Sequence, residues 1–408
     1  MKARLPFVFI IITLMLNSIG IGLIIPVMPS LILELTGGTI SDAALWGGLL
    51  ATTYAVMQFV FGPLMGNLSD RFGRRPVLLL SLFAMGLDYI LLSVAGTIWL
   101  LFIGRLIAGI TGATFSTASA YVADITPPEK RAANFGIVGA AFGIGFVFGP
   151  AFGGLLGEFG PRAPFIAAAI VSLLNVAFGY FVLPETVTDK NRRKFDLKRA
   201  NPLGAIFAIR KIPHMTQLVF LFLIFTISHQ SYQAVWSYFT IEKFDFTPGM
   251  IGLSLAIFGL FMAIMQGGVI RVVLPKLGEM RTAQYSLVLN TVIFIAVAFI
   301  GKAWMLFALM PFMTLGIIAS PALQGIMSKI TADDAQGELQ GIFTSVTGLA
   351  MIVSPMIMNG VFRIFTAPDA PVYLPGAPFL VAAALEFLTL LMLINVGRKL
   401  LKPEQVPA

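Results

Sequence analysis

Four charged side chains crowd into six positions of GNLSDRFGRRPVLLL (66–80): Asp70, Arg71, Arg74 and Arg75. Gly66 and Gly73 let the chain reverse there, and Asp70 needs a positive partner, either a nearby arginine or the positively polarised start of a helix near Gly337. The plainer reading is that these charges only fix orientation, because arginines in a short loop resist being pulled into lipid. Four more ionisable residues stand inside long apolar runs: Asp88, Arg105, His229 and Glu386. Charge in such surroundings is costly, which makes these groups candidates for taking up and releasing a proton, Asp88 as the site and Arg105 as its charge partner. Blander readings stand beside these: a buried Asp88 and Arg105 pair, a Glu386 turned to a peripheral helix contact, a neutral hydrogen-bonded His229. Other chemistry lacks its residues. His214 and His229 have no metal-ligand spacing, there is no cysteine, no nucleophile motif and no phosphate-binding G-x-x-x-x-G-K-[ST], so neither an enzyme nor a metal or organic cofactor is expected.

The elements carrying these residues are set by composition. Hydrophobic residues make up 58% of the 408, charged ones only 11%, and the mean hydropathy is +0.91. A chain built this way has lipid as its solvent. Apolar runs near 6–33, 44–65, 76–95, 98–122, 134–157, 164–183, 214–240, 248–273, 282–301, 303–327, 337–364 and 376–397 are long enough to span hydrocarbon. Only helices satisfy backbone groups in runs of this length in lipid, so an all-α membrane protein with twelve transmembrane helices is expected. The first run follows Lys2 and Arg4 but lacks a small-residue cleavage site and extends past a signal core, so it reads as a retained helix.

With the N-terminus inside, 22 of the 27 Lys and Arg fall on the side that holds both termini. Arg162, Lys243, Lys302 and Arg363 fall on the other, and Arg105 lies within a span. That bias places both termini in the cytoplasm of a bacterial inner membrane and explains the +8 net charge without nucleic acid. Eight basic residues lie in 183–213, the longest polar stretch, which reads as a cytoplasmic linker (184–213) between six-helix halves at 1–183 and 214–408. Shifting the sequence by 205 positions sets Gly73 on Gly278, Ile125-Thr126 on Ile330-Thr331, Gly136 on Gly341 and Pro150 on Pro355. A shared ungapped shift points to a duplicated, pseudo-symmetric unit.

The loop at 66–75 resembles the G-x-x-x-D-R-x-G-R-R signature of the major facilitator superfamily. GRLIAGITGA around Arg105 and GIGFVFGPAFGG (143–154) resemble two further signatures, the latter the antiporter motif of drug exporters. NSIGIGLIIPVMP (17–29), GLDYILL (86–92) and PALQGIMS (321–328) are similar to the tetracycline-efflux branch of the drug:proton antiporters. The resemblance implies a central cavity between the halves. It also implies a cytoplasmic gate in which Asp124 joins Asp70 and the arginines, charged roles for Asp88 and Arg105, and an antiport helix built on Gly145, Gly149, Pro150, Gly153 and Gly154. Without that role, the same glycines simply allow close helix packing.

The chain departs from that branch at Asn17, Met262 and Asn290, where the branch carries an acid, a histidine and an acid. An amide can hydrogen-bond a substrate but binds no proton, and methionine accepts none. With Gln58, Gln266, Gln324 and Gln340, amid 36 phenylalanines and 19 methionines, these residues predict a neutral cavity suited to a hydrophobic or amphipathic compound rather than a metal-chelated one. The expected protein is a monomeric, proton-coupled exporter working by alternating access. A facilitator or importer of a metabolite or siderophore-like compound is the alternative, and a non-transporting receptor or scaffold a second one.

Overall fold

A computed structural model describes residues 4–112, 114–189, 192, 195 and 214–400. Most of the 184–213 stretch therefore lies outside the described residues. Those described are helical or irregular, with no strand among them. Sixteen α-helices among the described residues account for the spans: α1 Arg4–Ile24 and α2 Met28–Thr36, α3 Ile40–Phe72, α4 Arg74–Ser93, α5 Ile98–Thr111 and α6 Thr114–Ile125, α7 Arg131–Gly157, and α8 Ala163–Val182. The second set is α9 Met215–His229 and α10 Ser231–Phe244, α11 Pro248–Ile264, α12 Ile270–Ala298, α13 Ala303–Leu315 and α14 Ala319–Lys329, α15 Gln336–Thr366, and α16 Ala377–Leu400.

Eleven stretches of the described residues are long and apolar enough to cross a membrane. The longest, Pro248–Ala298, contains two spans, because Gly278 breaks it with a backbone at φ 73°, ψ 164°. Twelve spans result, as the sequence predicts. Five predicted spans are interrupted internally: the first at 25–27 before Pro29, the fourth at Gly112, the seventh at Gln230, the eighth by a π-turn at Met265–Val269 and the tenth by a 3-10 turn at Gly316–Ile318.

The duplication reaches atomic detail. Gly73, at φ 108° and ψ 149°, makes the same left-handed break as Gly278, a conformation that a side chain resists. The helices after both glycines are followed by the caps Val94 and Phe299, each with φ −104° and ψ 6°. Next come helices starting at Ile98 and Ala303, then 3-10 turns at Pro128–Lys130 and Asp333–Ala335, then helices starting at Arg131 and Gln336. Each pair is 205 residues apart. The breaks after Ile24 and His229 keep that register too.

By proximity the chain forms two compact units, Met1–Pro202 with Thr240–Gly259, and Leu203–Phe239 with Leu260–Ala408. In the first, α1 packs along α7 and α4 along α8; in the second, α9 packs on α15 and α12 on α16. The second unit's core closes around Phe222, Leu287, Leu323, Ile342 and Leu393, all nearly or fully buried. Apolar residues also face outward, with Ile166, Ile170, Leu174, Phe178 and Phe181 exposed along α8. An outward apolar stripe costs nothing when lipid covers it.

Candidate functional site

The 66–75 segment is helical except at Gly73, and Gly66 lies inside α3, so Gly73 alone makes the reversal; the charges of the segment gather around one guanidinium. Arg74 lies 2.5 Å from Asp70 and 3.2 Å from Asp124, and its Nη1 donates to Ser69 Oγ at 2.6 Å. The first pair, four residues apart, closes across the turn at Gly73 and ties the end of α3 to the start of α4, while the second ties the start of α4 to the end of α6. Of the two partners open to Asp70, the structure supplies the nearby arginine. Arg75 lies with its guanidinium 5.4 Å from the Tyr180 ring centroid and donates to the Tyr180 carbonyl. Arg71 sits over the Phe72 ring.

Glu185 completes the cluster. Its carboxylate accepts from the backbone N–H groups of Arg74 and Arg75, at 2.9 and 3.2 Å, and of Thr186 and Val187, at 2.8 and 2.9 Å. An acid at the positive end of α4 is well placed, because those first N–H groups have no partner within the helix. Thr186 in turn donates to Asp124 at 3.1 Å. By sequence, Glu185 falls in the linker without a role; only the run Pro184-Glu185-Thr186 directly after an apolar span hints at a cap.

The second unit carries the same clasp with its polarity reversed. Lys329 lies 2.6 Å from Glu279. In the repeat register Glu279 takes the place of Arg74, and Lys329 the place of Asp124. The neighbouring contact repeats as well, since Arg131 Nε donates to the Thr126 carbonyl and Gln336 Nε2 to the Thr331 carbonyl.

Within the spans, the structure pairs the four ionisable residues. Arg105 Nη2 lies 3.7 Å from Asp88, whose side chain is 1% exposed. His229 Nδ1 lies 3.8 Å from Glu386, which is fully buried. Both separations exceed hydrogen-bond length, so a small movement can make or release either contact.

The antiport-like glycines of α7 bring backbones together. A Cβ at Gly145 would fall 2.7 Å from Ser18 Cβ, and one at Gly149 would fall 2.8 Å from Gly22 Cα. At Gly153 it would fall 2.7 Å from Leu23 Cα, so these three glycines form a groove that holds α1. Gly154 points elsewhere, with a Cβ there 2.9 Å from Gly252 Cα on α11. Pro150 stays inside the helix.

The uncharged candidates bond locally. Gln58 donates to Tyr54 at 3.2 Å, Asn290 to the Gly316 carbonyl at 3.2 Å and Gln324 to Ser320 at 3.2 Å. Gln266 and Gln340 are exposed and Met262 is half-buried. Asn17 helps line a cavity of about 230 Å³ inside the first unit, between α1, α4, α7 and α8, with Leu23, Met85, Phe152 and the hydrogen-bonded pair Thr13 and Asn175. Its lining contains no charged residue.

Comparison with known proteins agrees with this arrangement. The family model described as Major Facilitator Superfamily matches residues 10–401. The tetracycline resistance protein, class C, of Escherichia coli is 38% identical over 390 residues, 96% of each chain. Multidrug resistance protein 2 of Bacillus subtilis (strain 168) is 28% identical over 357 residues, 86% of this chain and 87% of that one. Among solved structures, the nucleoside transporter NupG superposes with a TM-score of 0.77 over 97% of this chain and 99% of its own, at 13% identity, a likeness of fold alone. A twelve-span duplicated bundle, a signature loop organised by ion pairs and a family match along almost its whole length make this chain a multi-pass membrane transporter of the major facilitator superfamily.

Proposed function

We propose that the protein exports a small hydrophobic or amphipathic compound in exchange for protons, by alternating access, as a monomer in a bacterial inner membrane with both termini in the cytoplasm. The single observation that carries the substrate class is the cavity around Asn17, walled by apolar side chains and a few uncharged hydrogen-bonding groups. Such a site rewards burial of apolar surface and fixes orientation with few polar contacts. Full-length relatives bearing resistance names support the direction of transport. In this reading 1–183 and 214–408 are the two repeats, joined by 184–213.

The cluster of Gly66, Asp70, Arg71, Gly73, Arg74, Arg75 and Asp124 acts as the cytoplasmic gate, opening and closing by exchange of ion-pair partners. Asp88 carries a proton and Arg105 offsets its charge when the proton leaves. The test is uptake by inside-out vesicles holding the overproduced protein, acidified inside, with tetracycline and the cationic dye ethidium as probes. Accumulation of ethidium that collapses when the pH gradient is dissipated is the expected outcome. Equilibration of either probe unaffected by the gradient would make the protein a facilitator and overturn the proposal.

A further inference from the structure

The exchange proposed above leaves the one buried acid among the described residues of the second unit without a task. Glu386 is fully buried in α16, and one of its oxygens accepts from Ser228 Oγ at 3.2 Å. The same Ser228 hydroxyl lies 3.0 Å from the Ala382 carbonyl one turn earlier, which fixes the carboxyl against α9. The other oxygen, Oε2, is buried and has no hydrogen-bond partner. His229, the next residue on α9, brings Nδ1 to 3.8 Å and is itself 20% exposed. Both of its ring nitrogens are buried and neither has a hydrogen-bond partner, so the exposed part of the side chain is carbon. Its ring is held between Phe225, stacked at 5.2 Å, and Tyr232, edge-on at 6.0 Å.

From this geometry we infer that Glu386 and His229 form a second proton-carrying site, resting on the exchange reading, with His229 as the entry and Glu386 as the store. A lone carboxylate sealed among apolar side chains without a cation is unstable, because its hydration is lost and nothing replaces it. The titratable groups facing it among the described residues are His229 on α9 and Tyr232 on α10; α12 contributes the amide of Asn290, and α15 no charged group. Carboxylate with neutral imidazole has a net charge of −1. One proton taken from water makes the pair neutral, whether it rests on the carboxyl or on the ring, and the neutral pair is the form that apolar surroundings accept.

The break after His229 adds a way to move it. The seventh span stops at His229 and restarts at Ser231, so the ring, whose two nitrogens are both buried, sits at a joint between two helices where a rearrangement would open a nitrogen to water or bring it to Oε2. Ser228 marks the dry side of that joint. Proton entry and proton storage are thus divided between two adjacent residues and one partner helix.

Infrared difference spectra of the full chain in detergent, recorded between acid and alkaline pH, read this site without any substrate. The carbonyl band of a protonated carboxyl that vanishes on raising the pH is expected to lose a component in Glu386→Gln. In His229→Asn that component remains but shifts its midpoint by about one pH unit or more, because the imidazole beside the carboxyl is gone. A Glu386→Gln spectrum identical to the parent's, or a midpoint unmoved in His229→Asn, overturns the site. Thermal unfolding of Glu386→Gln, nearly isosteric, checks that it folds. In reconstituted liposomes the parent accumulates ethidium by about tenfold per pH unit and proton exchanged; Glu386→Gln is expected to equilibrate the dye with at least a several-fold smaller accumulation. Parent-like accumulation in that variant contradicts this site while leaving export intact. A parent that moves no ethidium contradicts export, and the infrared result still decides the site.

Discussion

Arg74 serves two carboxylates with one guanidinium, and the opposite polarity of Glu279 and Lys329 in the second unit indicates what the contact is for. A clasp that recurs at the repeat position with its charges exchanged keeps the attraction between two helix ends while changing the side chains that supply it. Arg74 and Asp124 are 13% and 28% exposed, so the pair contributes on the order of 1 kcal/mol, enough to bias a gate without locking it. Arg74→Glu or Asp124→Lys alone should lower the transport rate several-fold, while the double variant, which copies the second unit's polarity, should recover much of it. Ethidium uptake rates at low and high salt check this, with the singles showing the altered salt response. Asp70→Asn should slow turnover more than it weakens binding of the probe, because Asp70 is part of the proposed gate and does not line the cavity.

At the scale of the helix, the groove of α7 sets how α1 can move. A methyl group at Gly149 would press on Gly22 Cα, an overpacking that costs about 1–3 kcal/mol or forces the backbones apart. Gly149→Ala should therefore lower both thermal stability and transport, whereas Gly143→Ala, on the same helix but with open space around it, should leave both near the parent's values. The helices themselves were legible in the sequence, because lipid demands long apolar runs and Gly73 and Gly278 mark the same turn in each repeat. The partnerships were less so. Asp88 with Arg105 could be guessed from neighbouring spans, but Ser228, His229 and Glu386 meet only after α9 and α16 pack, and no local pattern encodes that. The reversed clasp lay in the sequence at the repeat register, yet a search for identical residues passes over Arg74 against Glu279. Glu185 escaped for another reason: a capping acid contacts backbone N–H groups, which every residue but proline has.

For the molecule as a whole, the proposed topology puts the 66–75 loop and the 184–213 stretch on one side of the membrane and Arg162 on the other. Arg162 pairs there with Glu34 and donates to the Ala95 carbonyl at 2.9 Å, which anchors the loops of that side to each other. The chain has no cysteine, so single cysteines introduced near Asn67, Asp189 and Gly160 can be labelled without background. An impermeant thiol reagent added to intact cells should reach Gly160→Cys alone. The central claim, that substrate and protons exchange through one protein, is tested most directly by adding ethidium to the purified protein in weakly buffered detergent and recording the pH. Proton release in the parent, reduced in Asp88→Asn and again in Glu386→Gln, is the predicted result; ethidium binding with no proton release in the parent would contradict it.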